Sequence, residues 1–239
     1  MKLFRNLLPV LIITMAVVLF CFNFFSPKLK SSGFLYEYSD QQMKYFMETA
    51  FEQNGSVIKW KDTIRISLEG NYSTMDSLEM VKIIKEVSPL INVKVILLPG
   101  NSSNGNLIIN LFKSEKDYKS FLSAGELDNM AEGKTKYKFS FLSNEITGAQ
   151  IFVFHFAANK YWILRHEFCH ALGLSGHSKG VGDEQALLAP LVFKSIEDSD
   201  KWQNENTHFP DADKKSIKLL YSENLPIGLK FTDFKKEPK

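Results

Sequence analysis

Arg165-His166-Glu167-Phe168-Cys169-His170-Ala171-Leu172-Gly173-Leu174-Ser175-Gly176-His177 is the stretch on which the interpretation of this chain depends. It reads H-E-x-x-H and continues to a third histidine. Because an α-helix has about 3.6 residues per turn, His166 and His170 present their imidazoles on one helix face, one turn apart. Two imidazoles so placed chelate a divalent metal, and Glu167 lies beside them as a general base for an activated water.

The motif is unusual for this composition. With 5 histidines and 16 glutamates in 239 residues, a shuffled chain would contain H-E-x-x-H with a probability of about 0.007. The alternative is a core helix whose two histidines are bonded to backbone carbonyls. The helix is apolar on nearly every side and is therefore expected to be buried, so its imidazoles need polar partners, and a metal would satisfy that need.

Composition limits the classes of function. The chain is 44% hydrophobic and long enough for one domain plus an appendage. Its formal charge is +2, but residues 1–30 hold four of the 29 basic residues and none of the 27 acidic ones, which leaves −2 for the remainder. We therefore expect no nucleic-acid partner and a monomeric protein.

Two cysteines are present, Cys21 in an apolar run and Cys169 inside the helix motif. A disulfide between them is implausible, so the fold must form without covalent cross-links. Cys169 could act as a redox switch or as an extra ligand. We favour a small buried apolar residue that fills space on the helix.

Residues 7–25 form an apolar run with two polar interruptions, flanked by basic residues on both sides. Nineteen helical residues span about 28 Å, close to the hydrocarbon thickness of a bilayer. A signal-peptide cleavage site needs small residues one and three positions before the cut, whereas residues 21–26 are mainly Phe and Asn. We predict an uncleaved anchor within residues 1–30 and an extracytoplasmic location for residues 31–239, the alternative being a secreted protein after cleavage.

The remaining pattern alternates strands and helices. Ser39 with Gln42, and Ser73 with Asp76, are capping-box signatures that open helices. Predicted strands lie near residues 64–68, 91–98 and 107–112, and a short helix is expected over 115–122. Strand, helix, strand is a crossover unit, which indicates a partly parallel sheet with helices packed on it.

Residues 125–133 are expected to form a loop, followed by an extended piece at 137–141. A last strand over 151–156 directly precedes the motif helix, and as a sheet edge it could hold an extended peptide by main-chain hydrogen bonds. His155 on this strand is expected to be a packed or rim histidine and not a ligand. The motif helix should begin near Asn159 and end at Gly173, and a final helix should open at Asp211 and Asp213.

The motif resembles that of the metzincin zinc peptidases, and within them the matrixin-like branch. The family pattern is H-E-x-x-H-x-x-G-x-x-H, and this chain matches its first four defined positions. His177 comes one residue late, with Gly176 as the extra residue. Residues 186–190, Ala-Leu-Leu-Ala-Pro, are similar to the family's methionine turn, with Leu188 in place of the methionine.

The resemblance implies an α+β fold of the metzincin-like zincin type, with a twisted mixed sheet of four to five strands, an active-site helix and a C-terminal helix. By this reading, residues 31–60 are an N-terminal helix and lead-in, 61–225 the catalytic domain, and 226–239 a polar, solvated tail.

The resemblance further implies that His166, His170 and His177 hold Zn²⁺ and that Glu167 is the general base of a zinc endopeptidase acting on a peptide or protein substrate. Asp183 and Glu184 are alternative third ligands. A catalytically inactive metzincin-like binding protein of the cell envelope is the alternative function.

Overall fold

The structure is a computed structural model that describes residues 27–234, with gaps at 52–53, 101, 103, 113, 115, 117–132, 155–158, 181–185, 191–194 and 206. Several predictions therefore concern residues that lie wholly or almost wholly outside the described part of the chain: the anchor, the helix at 115–122, His155, Asp183 and Glu184. Within the described part of the chain, no helix combines the length and apolar character that crossing a bilayer requires.

In the described part of the chain, helices and strands alternate up to the second strand, after which further strands precede the last three α-helices. The helices are α1 (Asp40–Phe51), α2 (Thr74–Val87), α3 (Lys160–Leu172), α4 (Ile196–Glu205) and α5 (Asp211–Leu220). The strands are β1 (Ile64–Gly70), β2 (Val95–Leu97), β3 (Leu107–Phe112), β4 (Gly133–Phe139) and β5 (Ile146–Phe154).

The five strands form one sheet in the order β2-β1-β3-β5-β4. Four of them run parallel, and β4 alone is antiparallel to its neighbour β5. The protein thus has a mixed α and β fold with a mostly parallel five-stranded sheet, as the crossover pattern predicted. The prediction that the strand before the motif helix forms the sheet edge is wrong, because β5 pairs with β3 on one side and β4 on the other.

The sequence signals for the helix ends are confirmed. Ser73 accepts a hydrogen bond from the backbone of Asp76, whose carboxylate accepts one from the backbone of Ser73. Ser39 and Gln42 exchange the same pair of bonds at the start of α1. Asn159 precedes α3, and Gly173 ends it with a φ of 114°, a conformation that glycine adopts without steric cost.

The hydrophobic core joins both ends of the described chain. Leu35 and Phe46 from the N-terminal region are buried with the sheet and α3 in one cluster. The prediction of a solvated tail from residue 226 is wrong over residues 226–234, since Leu229 is fully buried and Phe234 is 5% exposed. The burial of these two apolar residues was not predicted, because the segment also contains charged residues.

Candidate metal centre

Three histidines converge at the C-terminal half of α3. The Nε2 atom of His170 lies 3.2 Å from that of His166 and 3.2 Å from that of His177, and the remaining distance is 3.1 Å. Zn–N bonds at tetrahedral angles place two ligand nitrogens about 3.3 to 3.4 Å apart. The structure therefore brings all three predicted ligands together with a spacing that suits one zinc ion.

The opposite ring nitrogens fix the tautomers of two of these rings. His166 Nδ1 lies 2.7 Å from the carbonyl oxygen of Leu187, and His170 Nδ1 lies 2.6 Å from that of Leu174. A carbonyl oxygen only accepts hydrogen bonds, so each Nδ1 carries the proton and each Nε2 of a neutral ring presents a lone pair.

Burial keeps both rings neutral. The pKa of His166 is lowered to about 4 and that of His170 to about 3, chiefly by burial and to a smaller extent by the neighbouring imidazoles, against the opposing effect of the carbonyl hydrogen bonds. Two Nε2 lone pairs thus face each other at 3.2 Å, an arrangement that a cation between them would stabilise. Backbone carbonyls alone do not satisfy these histidines, because they occupy only the Nδ1 atoms.

Glu167, the residue after His166 on α3, is held by strand β4. Its side chain is 6% exposed, and its Oε2 lies 2.7 Å from Thr135 Oγ1, within hydrogen-bond distance. Burial raises the pKa of Glu167 to about 7, against the opposing effects of the Thr135 hydroxyl and the charge of Lys134. A carboxyl group whose pKa lies near 7 could act as a general base at neutral pH.

A glycine on β4 makes room for that carboxylate. A Cβ atom at Gly133 would lie 2.4 Å from Ile163 Cγ2 and 2.9 Å from Glu167 Oε1. Neither Gly133 nor Thr135 was predicted here, because residues 125–133 were expected to form a loop and the predicted extended piece began only at residue 137, whereas β4 begins at Gly133. The strict alternation of G-K-T-K-Y-K-F over residues 133–139 was the available signal for a strand there.

Helix α1 holds the loop that carries the third histidine. The N–H of Gly176 donates to the carbonyl of Thr49 at 2.7 Å. Glu48 Oε2 accepts from Ser178 Oγ at 2.5 Å and from the N–H of Lys179 at 3.1 Å. The residues on both sides of His177 are thus tied to α1, and the extra glycine of the motif makes one of these bonds.

The turn at residues 186–190 supports the first histidine. The Leu187 carbonyl accepts from His166, while the Leu187 N–H donates to Asp213 Oδ2 at 2.8 Å. Asp213 is fully buried and accepts a second hydrogen bond from Tyr45 at 2.5 Å. Leu188, also fully buried, occupies the position where the resemblance places a methionine, and its N–H donates to Tyr45 Oη at 3.2 Å.

Buried ion pairs fasten α3 to α2. Arg165, which is fully buried, places Nη2 2.6 Å from Glu79 Oε1 and 3.6 Å from Glu86 Oε1. At the start of α3, Lys160 Nζ lies 2.9 Å from Asp76 Oδ1. These ion pairs have no local signal in the sequence, because a charged residue within a helix does not reveal which other helix it faces.

Cys169 is a buried free thiol on α3, and burial raises its pKa well above the usual range. A thiol so protected from ionisation is a poor nucleophile and a poor ligand. In the described part of the chain its sulfur is not part of the cluster of possible ligand atoms, which comes from the three histidines. The prediction of a buried apolar residue is confirmed.

No protein-family model matches this chain, and no curated protein matches it.

Proposed function

We propose that this protein is a zinc-dependent endopeptidase similar to the metzincins, anchored to a membrane by its N-terminal segment. One observation carries the proposal: three imidazole Nε2 atoms converge within 3.2 Å of one another, and the first of these histidines is followed directly in sequence by Glu167, which is buried. His166, His170 and His177 are the proposed zinc ligands. In catalytic zinc sites, three protein ligands bind the metal and the fourth position is open to water or substrate.

Bound Zn²⁺ would polarise the scissile carbonyl and lower the pKa of a water to about 7. The protein's own part is to accept a proton from the water and pass it to the leaving group. Glu167 in its carboxylate form takes a proton from the attacking water and delivers it to the leaving amine. A nearby cation favours the carboxylate and so lowers its pKa from the value set by burial.

The surroundings of Glu167 restrict its movement. Thr135 Oγ1 lies 2.7 Å from its Oε2 and 2.9 Å from its backbone carbonyl, so this one hydroxyl can donate to either. Because Thr135 belongs to β4, the same strand positions the base and forms the edge of the described sheet. An edge strand can align an extended peptide by main-chain hydrogen bonds, which would bring the scissile bond of a peptide or protein substrate to the base.

The proposed setting is extracytoplasmic, with residues 31–239 outside the cytoplasm and the chain acting as a monomer. No resident cofactor besides Zn²⁺ is proposed. The net charge of −2 for residues 31–239 gives no support to a nucleic-acid substrate.

Glu167→Gln tests the proposed function. The substitution keeps the shape of the side chain and removes its ability to accept a proton, so we expect zinc to remain bound and cleavage of unfolded protein to be lost. Glu223→Gln is the matched control, because Glu223 is exposed and follows the C-terminal end of α5. This variant should cleave like wild type.

Cleavage by Glu167→Gln at the wild-type rate would refute the assigned role. Zinc binding by the wild type without chelator-sensitive cleavage would refute the peptidase and support a metzincin-like binding protein of the cell envelope instead.

A further inference from the structure

The turn between β4 and β5 presents two large apolar side chains to solvent. Phe141 is 88% exposed and Leu142 is 86% exposed, well above the other exposed large hydrophobic residues in the described part of the chain. A single exposed apolar residue is ordinary, but two adjacent ones at the tip of a hairpin form a protruding apolar feature.

The turn has a defined backbone conformation. The N–H of Asn144 donates to the Ser140 carbonyl at 2.7 Å, and the N–H of Ser140 donates to the Glu145 carbonyl at 2.9 Å. Asn144 has a φ of 56°, in the left-handed region that asparagine tolerates. The exposed pair is therefore held at the end of a hydrogen-bonded hairpin.

The N-terminus of the described chain lies against this same turn. A Cβ atom on Gly228 would lie 3.1 Å from Asn144 Nδ2 and 3.4 Å from Pro27 Cγ, so Asn144 and Pro27 contact the same glycine. The backbone N–H of Lys30 donates to the Asn224 carbonyl at 3.3 Å, which fixes the path of the chain just after Pro27.

Pro27 comes two residues after the apolar run of residues 7–25. If that run crosses a bilayer, Pro27 lies close to the lipid headgroups. Asn144 lies near Pro27, and Phe141 precedes Asn144 by only three residues. Three extended residues reach about 10 Å, which is comparable with the depth of the headgroup region.

Basic side chains lie just after the apolar run and on the β4–β5 hairpin. Lys28, Lys30 and Lys138 are exposed, and Lys138 belongs to β4, directly before the turn. Lysines at this position would be attracted to the anionic headgroups of a bilayer. Apolar tips flanked by cations are suited to a lipid surface.

We propose that the β4–β5 turn is a second membrane contact, in which Phe141 and Leu142 insert into the leaflet from which the N-terminal segment emerges. The proposal rests on the predicted anchor and goes beyond the proposed peptidase activity. Two points of attachment would fix the orientation of the folded part on the bilayer, which a single flexible tether would not.

The test uses the full chain in vesicles of phosphatidylcholine and phosphatidylglycerol. Cys21→Ser leaves the buried Cys169 as the one native thiol. A cysteine introduced by Phe141→Cys then carries a nitroxide label. Met75→Cys is the matched control, because Met75 is also exposed and apolar, at 60%.

Met75 also lies at the other end of the sheet. Its neighbour Asp76 pairs with Lys160, which follows the C-terminal end of β5, whereas the hairpin turn precedes the N-terminal end of that nine-residue strand. The two labels are thus separated by roughly 25 Å along the strand direction.

Collisions with oxygen, which concentrates in lipid, are compared with collisions with a water-soluble nickel complex. We expect the label at 141 to collide mainly with oxygen and the label at 75 mainly with nickel, so that the ratio reverses between the two sites. Equal ratios at both sites would overturn the proposal, and so would absence of the full chain from the vesicle pellet. Peptide cleavage does not enter this readout, so failure here would leave the peptidase proposal standing.

Discussion

Gly133→Ala should reveal how closely β4 fits the proposed base. The added Cβ would lie 2.4 Å from Ile163 Cγ2 and 2.9 Å from both Cγ and Oε1 of Glu167. Ordinary carbon contacts begin near about 3.5 Å, so the methyl group overlaps Ile163 by about 1 Å and the Glu167 side chain by about half an ångström. Neither neighbour belongs to the backbone, so both can shift, but they are confined on α3.

The overlap sets the expected cost. Overpacking of this kind lowers the free energy of unfolding by about 1–3 kcal/mol. For a domain of this size each kcal/mol corresponds to a fall in Tm of about 2–4 °C. Displacing a catalytic group by a fraction of an ångström also lowers turnover, by up to about 10²-fold for 1 Å. We expect a lower Tm together with a lower kcat.

Gly148→Ala is the matched control on the paired strand β5. A Cβ there has as its nearest neighbour the Asn106 carbonyl oxygen at 3.6 Å, an ordinary contact. Thermal unfolding and peptide cleavage are measured for both variants beside wild type. A Gly133→Ala variant with the Tm and kcat of Gly148→Ala would refute the claim that Gly133 makes room for Glu167.

Further predictions concern the supports of α3 and of the third histidine. Glu48→Gln weakens the bonds of this side chain to the loop after His177, so zinc affinity measured by chelator competition should fall about 10- to 100-fold. Lys44→Ala removes only the 3.9 Å ion pair of Glu48 and should leave the zinc affinity unchanged. An unaltered affinity in Glu48→Gln would show that the bonds from α1 do not position His177. Arg165→Met removes the fully buried cation between Glu79 and Glu86, which keep only the more exposed Lys82 and Lys214 as lysine partners. It should lower the free energy of unfolding in urea by about 3–5 kcal/mol, and a wild-type value would show that the ion pair contributes nothing. Burial raises the pKa of Asp76, but hydrogen bonds from its lysine and serine partners outweigh this and lower it from 3.8 to about 2. The stabilisation from this carboxylate is therefore present above pH 4 and lost as the pH falls towards 2. Asp76→Asn should cost about 1–3 kcal/mol at neutral pH and progressively less in urea titrations at lower pH, whereas a constant difference would contradict the assignment.

Local signals in the sequence predicted the parts of the fold that depend on neighbouring residues. The spacing of His166 and His170 required a helix, Asn159 and Gly173 marked its ends, and Ser73 with Asp76 marked the start of α2. Each of these is set by hydrogen bonds within four residues along the chain, so a single sequence contains the necessary information.

Contacts between distant segments could not be predicted in this way. The edge position of β4 depends on which strands pair, and the role of Gly133 depends on the side chain of a helix that follows much later in the chain. Glu48 and Asp213 face the site from the first and last helices, and neither has a local pattern that names its partner. The burial of Leu229 was hidden by the charged residues around it.

Metal analysis of the purified full chain, wild type beside His177→Ala, decides whether the three histidines hold a metal ion. We expect about one equivalent of zinc in the wild type, because three converging imidazoles form the donor set of a tight site, and a marked loss when the third is removed. A wild-type chain that retains less than about a tenth of an equivalent of any divalent metal would contradict this expectation.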